Sequence, residues 1–392
     1  MKQPSSITAS TGKAIYFLTN DAENAVIALP IGNNGMLSKG TITSTRGAGS
    51  NSIDSTTTQK AAPDALVGQS ALTVVGRRLK LTFSTQSLFA VNAGSNSLTM
   101  MTISATDPTY LTMVGQPVAI PGQFPNTVAA SMKHKLVCVG TTGAVAGISC
   151  ASFAKQGLGK MDSLRPFEIG QTTPPIGPTN TVSQTFFSID ESALFTTVKG
   201  DPAVNNTGFL SVFQVRQSNS GAAYLATKDT RSSPAGTAVL FGSATIPNDP
   251  SSIFVTDASF GAAVVSLDDN AQASIVRAQS IDGQKATCWA TVSDATNSAF
   301  VTDVGVNRVV EMSLRDASVL GQLDLSTNGD PGLIDLKAAG NFVYALSPGN
   351  GTTEAAITVL DISDGQGSMK LAQHFKLNGT AGKNAQGLAV ML

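Results

Sequence analysis

Histidine is nearly absent from this chain: its 392 residues include two, His134 and His374. That scarcity argues against a Ser-His-Asp relay or a histidine-rich metal centre, which both need imidazoles at defined places. Charge is scarce as well. Charged residues make up 13% of the sequence, about half the usual share. Lys+Arg (25) nearly balance Asp+Glu (26), for a formal net charge of -1. No basic stripe or polybasic tail is present, so nucleic acid and anionic membrane are excluded as partners on electrostatic grounds. No apolar run approaches the roughly 18 residues that span a bilayer. The three cysteines, Cys138, Cys150 and Cys288, fit neither a zinc site nor a CxxC redox pair. The opening MKQPSSITAS lacks the apolar region of a secretory signal. Sequons at Asn205, Asn350 and Asn378 favour secretion, with the signal already removed; a cytoplasmic protein is the alternative.

What the chain does have is a repeat. AIYFLTNDAENAVIAL begins at Ala14, SLFAVNAGSNSLTMM at Ser87 and KLVCVGTTGAVAGISC at Lys135. Further copies begin at Ala193, Ser252, Ala299 and Asn341. Each is a β-rich run, a turn of Asn, Asp, Gly and Thr, and a second β-rich run, the signature of a hairpin. Seven copies in 392 residues give a spacing of about 56, which points to a β-propeller of four-stranded blades. In the sixth blade ATCWATVS (Ala286 to Ser293) reads as the innermost strand and SVLGQLDL (Ser318 to Leu325) as the outermost. The expected fold is therefore all-β: one seven-bladed propeller over 1–392, with four antiparallel strands per blade and almost no helix. The first hairpin has no inner strand ahead of it. QGLAVML (Gln386 to Leu392) has no hairpin after it, so the C-terminal strand should close the first blade and remove an open edge. The longest irregular segment, Ser44 to Gln69, is rich in Ser, Thr and Gly and reads as an exposed loop.

Candidate site residues follow from the fold. The residues that start the inner strands, among them Gln69, Asn126, Asn180, Lys285, Asp330 and Gln386, would ring one mouth of the channel and orient a small polar ligand. The bland alternative is that inner strands start polar because loops end there. The turn TTVKGDPAVNNTG (Thr196 to Gly208) departs most from the repeat and carries Lys199 and Asp201; the neighbouring loop adds Arg231. Lys199 and Arg231 could hold and polarise an oxyanion while Asp201 or Asp330 moves a proton; a solvated ion pair is the other reading. Matching Asn and Asp positions, such as Asn20/Asn24 and Asp303/Asn307, resemble a metal ring, but tight turns select the same residues. No metal is expected. Cys138 and Cys150 fall on the two strands of one hairpin and could form a cross-strand disulfide, which would imply an oxidising compartment.

The stretches LFAVNAGSNSLTMM (from Leu88), GLGKMDSLRPFEIGQTTPPIGPTNTVSQTFF (from Gly157), LFTTVKGDP (from Leu194) and RSSPAGTAVLFGS (from Arg231) carry a resemblance. The chain resembles a fungal group of seven-bladed propellers labelled 3-carboxymuconate cyclase-like, within the wider lactonase-like set, and a propeller encoded in trichothecene toxin gene clusters looks like a relative. The resemblance implies a cofactor-free enzyme of fungal secondary metabolism, a cyclase or lactonase-like isomerase or lyase. Its partner would be a small acidic or oxygenated substrate in the central channel, and the protein a monomer. In the muconate-cyclising enzymes His, Glu and Arg serve the channel; neither histidine of this chain falls on a matching motif. GRRLKLTFSTQ (Gly76 to Gln86) reads as an insertion. The rival reading is a secreted, non-catalytic propeller that binds a carbohydrate, a metabolite or a host protein.

Overall fold

The central strands of this chain are buried on both faces, as strands must be when each sheet is pressed between two others. Ala14–Leu18 is buried at every position, as are Leu136–Thr141 and Ser298–Asp303. Outermost strands instead expose much of their length, as Thr41–Ser44 and Ala273–Ser280 do. A computed structural model describes residues 12–76 and 86–392; most of the Gly76–Gln86 stretch and the first residues lie outside it. These residues form seven antiparallel blades of at least four strands. Among the described residues helix is limited to two short 3-10 turns, Pro202–Val204 and Ser326–Asn328. No helix among the described residues is long and apolar enough to cross a membrane.

Closure is as the sequence suggests. Gln386–Met391 is the innermost strand of the first blade and pairs with Ala14–Leu18, with Ala14 opposite Met391 and Tyr16 opposite Ala389. Continuous aliphatic and aromatic layers fill the spaces between blades; at one such layer Phe241 and Trp289 meet edge-to-face at 4.9 Å. In the third blade Cys138 lies directly opposite Cys150, and the two form a disulfide. A short loop closed by a disulfide stabilises mainly by restricting the unfolded chain. The double replacement Cys138→Ala/Cys150→Ala is expected to cost about 2–4 kcal/mol, read from the urea midpoint. An unchanged midpoint would show that the bridge contributes nothing to stability.

One expectation is corrected. The Ser44–Gln69 segment is not simply an exposed loop. Its middle, Ile53–Asp54, pairs in parallel with Ile176–Gly177, tying the first inter-blade connection to the third. Beyond it, Ala65, Leu66, Val67 and Gln69 are fully or almost fully buried. The apolar run Ala65-Leu66-Val67 explains this: it drives the chain off the surface and into the channel.

Candidate functional site

The upper end of the channel is the end at which the innermost strands begin. There the returning segment crosses from wall to wall at Gly68 and Gln69. The Gln69 side-chain amide pairs with the exposed edge of the sixth blade: Nε2 donates to the Ala290 carbonyl at 2.8 Å, and Oε1 accepts from the Ala290 N–H at 3.1 Å. On the other side the Gln69 N–H donates to the Ser183 carbonyl of the fourth blade at 2.8 Å. Asn126 Nδ2 donates to the Leu66 carbonyl at 3.2 Å and to the Val182 carbonyl at 2.6 Å. Glycine is required at the crossing: a Cβ on Gly68 would lie 2.7 Å from the Ser183 carbonyl oxygen.

The crossing divides the channel in two. Below it is an open vestibule of about 530 Å³, whose walls include Gln184, Ser243, Ala290, Thr291 and Lys337. Above it is a smaller chamber of about 190 Å³, lined by Val67, Val239, Phe241, Ala286, Cys288 and Val304, with Asp64, Asp54 and Lys199 as its charged groups. The inner strands show the division: Phe241 and Cys288 face the upper chamber, while Ser243 and Ala290 face the lower.

Lys199 is 1% exposed. It ends up there because Ala193–Asp201, the second strand of the fourth blade, runs inward along a wall with Val198 and Lys199 buried. Its Nζ donates to the Val67 carbonyl at 2.6 Å and lies 4.3 Å from the centre of the Phe241 ring. Burial pushes the ammonium down to about 8, against the pull of Asp64. Asp64 is pushed up to about 7, again by burial, with the Lys199 charge and the Gly68 and Val67 N–H groups opposing the rise. Its Oδ1 has no hydrogen-bond partner among the described residues. At the wall, Asp54 is kept below the usual carboxylate range, chiefly by hydrogen bonds from Thr57. Burial raises the Cys288 thiol well above its ordinary value, so it stays protonated and un-nucleophilic. The arrangement is a carboxyl and an amine lining one small, mostly apolar chamber without a direct ion pair between them, each moved by burial toward neutral pH, which suits acid–base chemistry.

Of the residues expected from sequence, Lys199, Gln69 and Asn126 meet at the crossing segment. Gln386 is also buried, and neither atom of its amide has a hydrogen-bond partner among the described residues. The structure does not bring the others into the chamber. Asp201 caps the 3-10 turn at the hairpin tip, accepting from the Ala203 N–H at 3.1 Å. Arg231 lies on an outer strand of the fourth blade, bound to Asp229 at 2.8 Å and placed over the rings of Phe167 and Phe209. Asp330 is buried between blades against His374 of an outermost strand, at 2.9 Å, and burial raises its pKa. Asn180 donates to the Ile169 carbonyl at the rim, and the Lys285 side chain is exposed. Asp201 thus stays at a hairpin tip and Arg231 on an outer strand, each held by local partners. The turn carboxylates hold backbone: Asp303 accepts from the N–H groups of Lys285, Ala286 and Gly305. The sequence pattern does not single out Asp64, although the apolar Ala65-Leu66-Val67 that follows it in a Ser/Thr-rich loop is a visible signal.

No protein-family model and no curated protein sequence matches the chain. Among solved structures, the periplasmic gluconolactonase PpgL of Pseudomonas aeruginosa is similar with a TM-score of 0.65 at 13% identity, over 96% of this chain and 99% of that one. A candidate 6-phosphogluconolactonase from Bacteroides uniformis aligns with a TM-score of 0.55 at 16% identity, over 73% and 80% of the two chains. The hydrazine synthase of Kuenenia stuttgartiensis aligns too, at a TM-score of 0.51 and 12% identity, over 92% and 99%. A fold shared by proteins with such different names does not carry a function by itself. What these likenesses show is architecture: the chain has the seven-bladed fold found in propellers described as lactonases.

Proposed function

We propose that this protein is a cofactor-free enzyme that opens or closes a small lactone in the upper chamber. The observation that carries the reading is the Asp64–Lys199 pair, buried together in one chamber and shifted toward each other in pKa. A non-catalytic binder would instead expose a contiguous apolar patch; among the described residues the two most exposed large apolar side chains, Tyr110 and Val204, lie in different blades, the second and the fourth.

In lactone opening, the Asp64 carboxylate takes a proton from an attacking water as its oxygen bonds to the lactone carbonyl carbon. The Lys199 ammonium stabilises the oxyanion that forms. Collapse of this intermediate breaks the ring C–O bond, and Asp64 returns the proton to the leaving alkoxide, giving the hydroxy acid. Closure is the reverse. Size limits the substrate, since a cavity of about 150 Å³ takes one benzene-sized ring and this chamber is about 190 Å³. Charge limits it further. Lys199 is the one cation among the described lining residues, facing Asp64 and Asp54, so a phosphorylated or polyanionic lactone is disfavoured. The resemblance alone adds fungal secondary metabolism as the setting, and the Cys138–Cys150 bridge supports an oxidising, secreted location.

The test is a pH-stat assay of the purified protein on unphosphorylated five- and six-membered lactones. Turnover should need Asp64 deprotonated and Lys199 protonated. It is therefore expected to rise as pH passes through about 7 and fall as it passes through about 8, the two limbs belonging to the pair. No hydrolysis or cyclisation above background across the panel would end the lactone reading. A flat profile from pH 6 to 9 would remove the pair from it.

A further inference from the structure

The chamber also presents an amine as a nucleophile. We infer that Lys199 forms a reversible imine with small, neutral aldehydes that enter the upper chamber, with Asp64 as the proton carrier. This goes beyond lactone chemistry and uses the same chamber without depending on that reading.

The geometry supports it in three ways. First, Nζ is anchored without being used up: a neutral amine has two N–H donors and one lone pair, and the Val67 carbonyl takes one N–H. Second, the neighbouring walls are apolar, with Val239, Ala286 and Val304. The thiol of Cys288 is held protonated, so the amine meets no competing nucleophile there. Third, Asp64 lines the same chamber with Oδ1 unpartnered among the described residues, so a carboxyl oxygen is free to pass a proton. The lowered basicity of Lys199 adds a usable neutral fraction. Asp54, held as a carboxylate, repels a keto acid, and the volume admits no more than about one ring, which leaves small neutral aldehydes as the ligand class.

The step balances without a further reagent. The Nζ lone pair bonds to the carbonyl carbon while the Asp64 carboxyl gives its proton to the carbonyl oxygen. The Asp64 carboxylate then removes a proton from nitrogen, leaving a neutral carbinolamine. Asp64 next protonates the hydroxyl, water leaves, and the nitrogen lone pair closes the C=N bond. The products are an iminium ion on Lys199, the Asp64 carboxylate and one water.

The experiment traps this species in the intact wild-type protein. Propanal or benzaldehyde is added at pH 7 with sodium cyanoborohydride, and alkylated lysines are mapped by peptide mass spectrometry. Lys199 is expected to label on the order of 100-fold faster than surface lysines, given its larger neutral fraction, and to lose that advantage in urea. Labelling of Lys199 no faster than the surface lysines, or of surface lysines alone, overturns the inference. A lactone assay on the same sample separates the two readings. Selective labelling without lactone turnover keeps the imine and removes the lactonase; turnover without labelling does the reverse.

Discussion

Replacing Lys199 with methionine is expected to lower lactone turnover by roughly 100- to 1,000-fold, the range seen when one oxyanion donor is removed, without lowering the melting temperature at pH 6. Two effects act on the rate together. The developing oxyanion loses its counter-charge, and Asp64 loses the cation that opposes its rise, so it holds its proton more tightly and fails as a base. Stability should move differently. Burial lowers Lys199 from 10.5 to about 8, which corresponds to roughly 3 kcal/mol of native-state cost while the amine is charged. Methionine is of similar length and removes that cost. Against this, the Val67 carbonyl loses its donor, worth about 1–3 kcal/mol. The choice of pH follows from Asp64. Its folded pKa lies above the ordinary 3.8, so its contribution is fully present below about pH 4 and is lost as pH rises through about 7. At pH 6 it is mostly protonated in both proteins and drops out of the comparison. kcat/KM and a thermal melt on the same preparations decide the matter. Unchanged turnover, or a loss that merely tracks unfolding, would remove Lys199 from the reaction.

The blades could be read from the sequence because their signal is local and repeated seven times. A hairpin such as LFAVNAGSNSLTMM combines β-rich runs with a turn in which Asn96 adopts φ 46, a conformation that Asn tolerates. The site was only partly legible, for two physical reasons. Lys199 drew notice because its turn breaks the repeat. Asp201 and Arg231 drew the same notice, yet sequence proximity does not reveal that a hairpin's wall and its tip face different surroundings. Asp64 lies in a segment without regular secondary structure. Its position depends on where Ala65, Leu66 and Val67 can bury themselves, and that is decided by blades remote in sequence: Gln69 finds its partner 221 residues away, at Ala290. Periodicity carries no trace of such a contact.

That contact leads to the second large effect, the replacement Gly242→Ala. Gly242 lies in Leu240–Ile246, the innermost strand of the fifth blade, where the crossing segment meets the wall. A Cβ there would lie 2.4 Å from both the Cys288 carbonyl oxygen and Gln69 Oε1, and 2.9 Å from the Ala290 nitrogen. The Cys288 and Ala290 atoms are backbone in the next blade and cannot swing aside, so Gln69 must move. Overpacking of this kind costs about 1–3 kcal/mol, and each buried polar group left unpaired adds about 1–3 more. Breaking the paired amide contact to Ala290 therefore brings the expected loss to about 3 kcal/mol or more. The damage should also be local in form. With its anchor at Gln69 gone, the segment from Ser44 to Gln69 should become the first site of proteolytic nicking, and the upper chamber should open to its lower neighbour, carrying turnover down with it. Gly382→Ala is the matched control, because a Cβ there meets nothing within 4 Å. Urea midpoints and limited proteolysis of the two variants give the answer. Equal midpoints with no new cleavage between residues 44 and 69 would mean that the crossing segment can be shifted at no cost and is not what divides the channel.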